Sequence, residues 1–453
     1  MRVLIVTQYF PPEAGAPQAR LSGLAATWAA DGDEVTVLTG MPNHPTGVLP
    51  PAYRRAVRRR ERRDGYRVLR TWLYATPNEG VARKTLGHLS FMASSVLLGG
   101  CASGPADVVV VSSPTFFSIL SGWLLARRKR ARLVVEVRDL WPAIFVELGV
   151  LTSRPVIRLL ERLELAAYAA ADEVVVVTEG FRADLVRRGV PPEKVHTIRN
   201  GVDVDRFAHR AGPGAGDGQR DALRARLGAG PDDCLVLYTG THGIAQALPA
   251  VADAAALLDG RDGVGPAGAG LTAAGLTAAG VVAAGSVAAG PRRAGSAAER
   301  AAAGGPRIRF AFVGDGADKR NLERRVAELG LGNVTLLPGV PNAEMPALLA
   351  AADICLVPLR KVPLFATFIP SKMFEYLAAG KAVVGSVTGE AAQILAEAGA
   401  AVVPPEDSGS LAAAIAALAA DPAVRAEMGR IGRSYAQRCH DRAALAREYR
   451  KIL

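Results

Sequence analysis

The chain has 453 residues, half of them hydrophobic, with a formal net charge of +11 and a pI near 9.8. That length exceeds one ordinary domain and suits two, and the apolar fraction supports sizeable cores, so a disordered chain is excluded. The positive balance fits nucleic acid, a membrane surface, an anionic small substrate or an Arg-rich coding bias, and by itself decides among none of them.

Four cysteines, Cys101, Cys234, Cys355 and Cys439, are scattered with no Cys-x-x-Cys pair. This speaks against a zinc ribbon or disulfide scaffold and fits a reducing compartment. The N-terminal MRVLIVTQYF reads as a first strand and not as a signal peptide. The most apolar segment, 89–101, is too short to span a bilayer. A cytoplasmic protein, with peripheral contact at the inner membrane face as an option, is the expectation.

The first predicted strand is 3–7, followed by TQYFPPEAGAPQAR. Pro11 and Pro12 stop the strand, Gly15 permits close backbone approach, and a helix opens near Pro17. Backbone N–H groups at such a turn hold a phosphate or a sugar hydroxyl, or the segment is an ordinary βα loop. The second strand, 35–39, leads into TGMPNHPTG, which contains Asn43. Nine arginines then fall between residues 54 and 70. Tyr66 alone falls among them, not the aromatic interleaving that base stacking suggests, so nucleic acid is disfavoured. Anionic lipid headgroups or a pyrophosphate-bearing acceptor fit them, as does a solvated loop and helix face.

Strands are further predicted at 68–71, 108–112, 133–137 and 174–178. The runs of four valines at 108–111 and 174–177 suit strands buried on both faces. After 133–137 come Arg138, Asp139, Leu140, Trp141 and Pro142. An aspartate there either orients an acceptor hydroxyl and accepts its proton or caps the next helix.

The join to a second domain lies near 199–207, with a polar, Gly-rich stretch at 211–219. A second set of strands follows at 235–239, 308–313, 334–337, 354–357 and 382–384. Residues 264–305 carry a five-residue near-repeat (GLTAA, GLTAA, GVVAA, GSVAA) matching neither helix nor strand periodicity, and read as a flexible surface insertion. Strands alternating with helices imply parallel sheets covered on both faces, with ligands beyond the carboxyl ends of the strands. Gly240-Thr-His-Gly243 and Val313-Gly-Asp-Gly316 are such exits. The second opens like a dinucleotide fingerprint but places Lys319, here a solvated first-turn lysine, at its last glycine, so NAD is rejected. In the segment 366–384, Pro370 begins a helix, Ser371 and Lys372 occupy its first turn, and Glu375 follows one turn later. Lysine, helix amides and carboxylate together suit a diphosphate with ribose hydroxyls, or the helix is simply amphipathic with solvated charges. No metal-ligating set stands out.

The order TQYFPPEAGAPQAR, TGMPNHPTG, VRDLWP, IRNGVDVDRF, YTGTHGIAQAL, FVGDG, LPGV and PSKMFEYLAAGKAVV resembles glycosyltransferase family 4, in its WbuB/WcaI-like branch of bacterial surface-polysaccharide and amino-sugar transferases. The resemblance covers nearly the whole chain apart from the insertion. It implies an α/β protein of the GT-B architecture: two Rossmann-like doubly wound domains facing across a cleft. These are expected at 1–205 (acceptor-binding) and 206–420 (nucleotide-sugar-binding, carrying the insertion). A last helix at 421–453 would cross back to the first domain. It implies a retaining, metal-independent transfer without a cofactor, from a nucleotide sugar, usually UDP-linked, to a glycan or lipid-linked acceptor.

Glu375 matches the second glutamate of the family's Glu-x7-Glu motif, which binds the ribose hydroxyls. Thr367 stands where the first, sugar-binding glutamate would fall, which points to a deoxy or N-acetylated donor sugar. Val340 matches the position whose backbone meets the base, and Gly15, Gly240, Gly243 and Gly314 line the donor. Asp139 stands where many relatives carry a catalytic histidine. The Arg and Lys that many relatives direct at the diphosphate are absent from THGIAQAL, and Lys372 is the candidate substitute. Glu13, Arg20, Asn43 and Arg138 complete the expectation as acceptor contacts. Two other readings stay open: a nucleotide-sugar 2-epimerase and a non-catalytic nucleotide-sugar-binding protein.

Overall fold

The computed structural model describes residues 1–453 except 14, 45, 77–80, 114–115, 148, 150, 209–216 and 260–305. The predicted insertion at 264–305 therefore lies outside the described residues. The chain forms two compact units, Met1–Gly201 with Arg442–Leu453, and Val202–Asp441.

The first unit holds strands β1 (Arg2–Val6), β2 (Glu34–Gly40), β3 (Arg58–Arg63), β4 (Tyr66–Thr71), β5 (Val108–Ser112), β6 (Arg132–Val137), β7 (Glu173–Val176) and β8 (Val195–Thr197). They form one sheet in the order β3-β4-β2-β1-β5-β6-β7-β8. Every pairing is parallel except β3 with β4. The valines of β5 are buried along its whole length, as strands covered on both faces require. The chain reverses its winding between β1 and β5, so the crevice for a ligand opens at the carboxyl ends of these two strands.

Beyond the turn that holds Arg54 and Arg55, the arginine-dense segment is neither loop nor helix. It is the edge strand β3, joined to β4 through Asp64 and Gly65, both at positive φ (44° and 84°). An Asp-Gly pair with left-handed geometry at both positions matches the twist of a two-residue hairpin. Arginines along an unpaired edge also discourage strand addition by another chain. Arg70 is the exception to their exposure: it is buried, bonded to Glu61, and lies 5.6 Å from the Tyr53 ring centroid.

The helical run from Val81 is continuous through a π segment (Ser95–Gly99) to Ala102. By length and composition Thr85–Ala102 reaches the measure of a membrane-crossing helix, with a mean hydropathy of 1.3 and a third of it buried against the protein. This exceeds the short apolar segment expected at 89–101. Phe91, Ser94 and Ser95 face the core of the unit, whereas Leu86, Leu89 and Leu97 are exposed.

The second unit holds β9 (Cys234–Thr239), β10 (Ile308–Val313), β11 (Val334–Leu337), β12 (Ile354–Pro358), β13 (Ala382–Ser386) and β14 (Ala401–Val403). They form an all-parallel sheet in the order β11-β10-β9-β12-β13-β14, with its winding reversed between β9 and β12. The polar stretch expected at 211–219 gives way at Asp217 to a helix running to Arg226.

The single last helix expected over 421–453 is two helices. Pro422–Cys439 belongs to the second unit, and only Arg442–Arg450 lies in the first. That short helix is bound to the helix Ala16–Ala30: Trp28 donates its indole N–H to the Ala446 carbonyl at 2.7 Å and meets the Tyr449 ring edge-on at 5.4 Å. Arg450 pairs with Asp33, which also receives the N-terminal amine. Tyr449 is fully buried. Its replacement by Ala is therefore expected to destabilise the first unit by about 3–5 kcal/mol, as for other buried aromatics. Denaturant unfolding followed by tryptophan fluorescence checks this; an unchanged midpoint contradicts it.

Candidate functional site

In the second unit the chemistry gathers where β9, β10 and the helix Lys372–Ala378 converge. Gly240 leaves β9 with φ 112°, a conformation that L side chains rarely adopt, and its N–H donates to the Val313 carbonyl at 2.9 Å. Gly314 leaves β10 so close to it that an added Cβ would stand 1.8 Å from the Gly240 carbonyl oxygen. The two strand exits touch because Gly314 has no Cβ, while Gly240 supplies the positive φ. His242 continues the first loop, its N–H donating to the Asp315 carbonyl and its carbonyl accepting from the Asp318 N–H. Gly243 donates to the Gln246 side chain at 3.1 Å. Lys319, read as solvated, in fact clamps the second exit: its Nζ donates to the Gly314 carbonyl at 3.0 Å and to Asp315 at 2.6 Å. The other Asp315 oxygen accepts the Gly339 N–H at 2.7 Å, which fixes the loop holding Val340.

Lys372 sits in the first turn of its helix, as the segment predicts. Its Nζ lies 3.7 Å from the Tyr238 ring centroid and has no hydrogen-bond partner, although that atom is shut off from solvent. Glu375, one turn on, is half-buried and is the carboxylate whose charge supports the ammonium. Burial outweighs that support and lowers the Lys372 pKa from 10.5 to about 7. A buried ammonium resting only on a ring face is under-satisfied, because a cation–π contact does not replace three hydrogen bonds. Thr367 turns its hydroxyl onto the Leu364 carbonyl at 2.8 Å, closing its own short turn.

In the first unit the predicted residues divide. Asp139 stands just beyond β6, half-buried, with its pKa raised by burial against the opposing effect of Arg138. A carboxylate so disposed is a better proton acceptor than one in water. Arg138 is nearly buried; it donates to the Ser113 carbonyl at 2.7 Å and lies 3.7 Å from Glu136. Asn43 is half-buried, and Gly15 caps the helix Ala16–Ala30.

The acceptor candidates Glu13 and Arg20 are both engaged in hydrogen bonds within the protein. One Glu13 oxygen accepts the N–H groups of Asn43 and His44, both at 2.8 Å, and the other accepts that of Phe10 at 2.9 Å. Burial raises its pKa while these amides oppose the rise. Arg20 donates to Glu136 (3.0 Å) and to the carbonyls of Ile198 (2.9 Å) and Arg199 (2.7 Å). Both are buried charges, and a buried charge survives only when its hydrogen bonds are met within the protein. Glu13 thereby holds the turn carrying Asn43, and Arg20 ties its helix to Glu136 and the segment 198–199. Glu136, fully buried at the end of β6 and also accepting from Ser112 at 2.9 Å, was not singled out in the sequence. Its signal was a lone carboxylate inside an otherwise apolar strand. His242 was missed likewise, since a histidine in a loop carries no periodicity.

The chain matches two family models: a glycosyl transferase 4-like domain over residues 15–201 and a glycosyl transferases group 1 domain over residues 280–421. It is 27% identical to the putative colanic acid biosynthesis glycosyl transferase WcaI of Escherichia coli, across 99% of this chain and 98% of that protein. It is 30% identical to a D-inositol 3-phosphate glycosyltransferase of Streptomyces bingchenggensis, across 50% of this chain and 46% of that one. Among solved structures it is similar to sucrose-phosphate synthase from Thermosynechococcus elongatus (TM-score 0.68, 20% identity, covering 100% of this chain and 98% of that one). It is similar also to HepE of Anabaena in complex with UDP and glucose (TM-score 0.66, 17% identity, covering 100% and 99%).

Proposed function

We propose, from the premise that this chain belongs to the family 4 glycosyltransferases of GT-B fold, that it is a retaining, metal-independent enzyme carrying a sugar from a UDP-linked donor to a glycan or lipid-linked acceptor in cell-surface polysaccharide synthesis. The observation that carries the donor half is the Lys372 ammonium, unpartnered at the junction of two glycine exits. The ligand best matched to it is an anion with several acceptor oxygens, which a diphosphate supplies. The Anabaena protein complexed with UDP and glucose, and the colanic acid assignment of the E. coli relative, support the nucleotide and the polysaccharide setting.

In this reading the diphosphate lies against Lys372 and the backbone of Gly240, Gly243 and Gly314. Glu375 takes the ribose hydroxyls, and the Val340 backbone meets the base. Thr367 leaves the sugar pocket less polar than a glutamate would, which favours a deoxy or N-acetylated sugar. As the glycosidic bond to the diphosphate breaks, negative charge grows on the leaving oxygen, and Lys372 stabilises it more than it stabilised the ground state. Asp139 orients the acceptor hydroxyl and takes its proton, with Arg138 and Asn43 at the acceptor side.

The pH dependence follows from Lys372. A bound anion favours the charged lysine, so the complex holds a proton that the free protein, with a pKa of about 7, begins to lose above neutrality. UDP affinity, measured by calorimetry in chelator, is expected to be flat just below pH 7 and to fall by up to about tenfold per unit from pH 7 to 9. Lys372→Arg, charged throughout, flattens the profile, and Glu375→Ala weakens UDP at every pH. Wild-type affinity that does not change over this range rejects the role of Lys372.

Asp139→Asn is expected to cut turnover by roughly 10²–10⁴-fold while leaving UDP affinity unchanged. A screen of UDP-sugars with NMR of the product anomer reads both the rate and retention; full activity in this variant removes Asp139 from the mechanism.

The acceptor side points to the cytoplasmic face of a membrane. The exposed Arg58, Arg60 and Arg62 of β3 adjoin Val57 and Trp72, which are exposed and bonded to each other through the Trp72 N–H. Tyr74 continues the patch to the exposed leucines through Ser90. Basic residues beside apolar ones suit an anionic lipid surface. Sedimentation with phosphatidylglycerol vesicles is expected to carry the protein down at low salt, and Arg58→Gln/Arg60→Gln/Arg62→Gln to release it. Indifference to the vesicles counts against membrane contact.

A further inference from the structure

One buried group beside the candidate diphosphate site has no role in the mechanism above. His242 is fully buried, and neither of its ring nitrogens has a hydrogen-bond partner. An imidazole in that state leaves one donor and one acceptor unmet, which disfavours the folded state unless a partner arrives. The fold nonetheless holds the ring firmly. The backbone on both sides of it is tied to Asp315 and Asp318, and the ring leans on Tyr238 with centroids 5.7 Å apart.

Its neighbours restrict what can meet it. Gly314 packs closely against the ring edge: an added Cβ there would stand 2.8 Å from both Cδ2 and Nε2. The charged groups acting on it are Lys319, Lys372 and, with opposite sign, Asp315. Lys319 is already committed to Asp315 and the Gly314 carbonyl, whereas Lys372 also rests on the Tyr238 ring and is as unpartnered as the histidine. Two orphaned groups therefore share one aromatic residue at one pair of strand exits.

We infer that His242 is a further donor-binding residue, whose imidazole N–H donates to an oxygen of the diphosphate that Lys372 neutralises. This deepens the reading of the second unit as the nucleotide-sugar site and rests on it. Burial, with the two lysines, pushes the His242 pKa down to about 4, so the ring enters the complex neutral. A neutral ring offers a single N–H beside the cation without adding a second charge that would hold the product diphosphate too tightly. The site thus compensates for its lack of an arginine in the loop 241–248 with one charge and one neutral donor.

The test uses UDP as the probe, with the full chain. On adding UDP to protein labelled with ¹⁵N-histidine, the ring nitrogen resonances of His242, assigned by their loss in His242→Leu, are expected to shift. His242→Leu is expected to weaken UDP about tenfold or more, the worth of a hydrogen bond to a charged group. His242→Asn or His242→Gln, each of which returns an N–H, is expected to recover most of that loss. UDP binding that leaves the His242 resonances unmoved overturns this inference alone, as does equal weakening in all three variants. If the wild-type chain binds no UDP, the donor reading fails and this inference with it.

Discussion

A parallel sheet buried on both faces can carry polar chemistry only at its ends, and the organisation of this protein follows from that constraint. Strands such as β5 and β12 are buried at every residue, so their sequence is spent on packing. The backbone must still leave each strand in a turn, and there the donors and acceptors of the main chain become available. The reversal of winding between β1 and β5, and between β9 and β12, spreads two neighbouring exits apart in each unit. The candidate groups collect beyond these carboxyl ends, on loops that the sheets hold still.

Two buried cations, Arg20 and Lys372, are treated differently, and the difference separates structure from function. Arg20 is buried with its guanidinium hydrogen-bonded to a carboxylate and two carbonyls. It is finished as a structural element and ties the first helix to the segment 198–200. The Lys372 Nζ is also shut off from solvent but left against a ring face. The folded chain tolerates this because its ammonium gives up its proton more readily, and a ligand can supply what the fold withholds. Satisfied buried charge braces a site; unsatisfied buried charge is where a site expects its partner.

Much of the architecture was legible because parallel strands advertise themselves as short, wholly apolar runs. The valine runs at 108–111 and 174–177 fall on β5 and on the end of β7, and Lys372 and Glu375 fall on their helix as read. The strands that escaped were those without such a run. β3 consists of arginines around one glutamate, and its only local sign was the Asp-Gly hairpin turn. β8 and β14 are three residues each, too short to show any period. Nothing local to Glu13, in its loop, or to Arg20, on the first helix, reveals that three amides or a distant strand will take them inward.

The sequence by itself determined the alternation of strand and helix, the two-domain plan and the positions of the glycine exits, since each depends on residues within a few places of one another. The tertiary structure decided which charges are braces and which remain open. It also decided where the end of the chain goes: the helix Arg442–Arg450 joins the first unit through Trp28 and Asp33, more than 400 residues away. It alone brought His242, Gly314 and Lys372 to the same place. Hydrogen-bond satisfaction is a property of the completed neighbourhood, and the partners of a buried group come from strands that are adjacent in the sheet while remote in the chain.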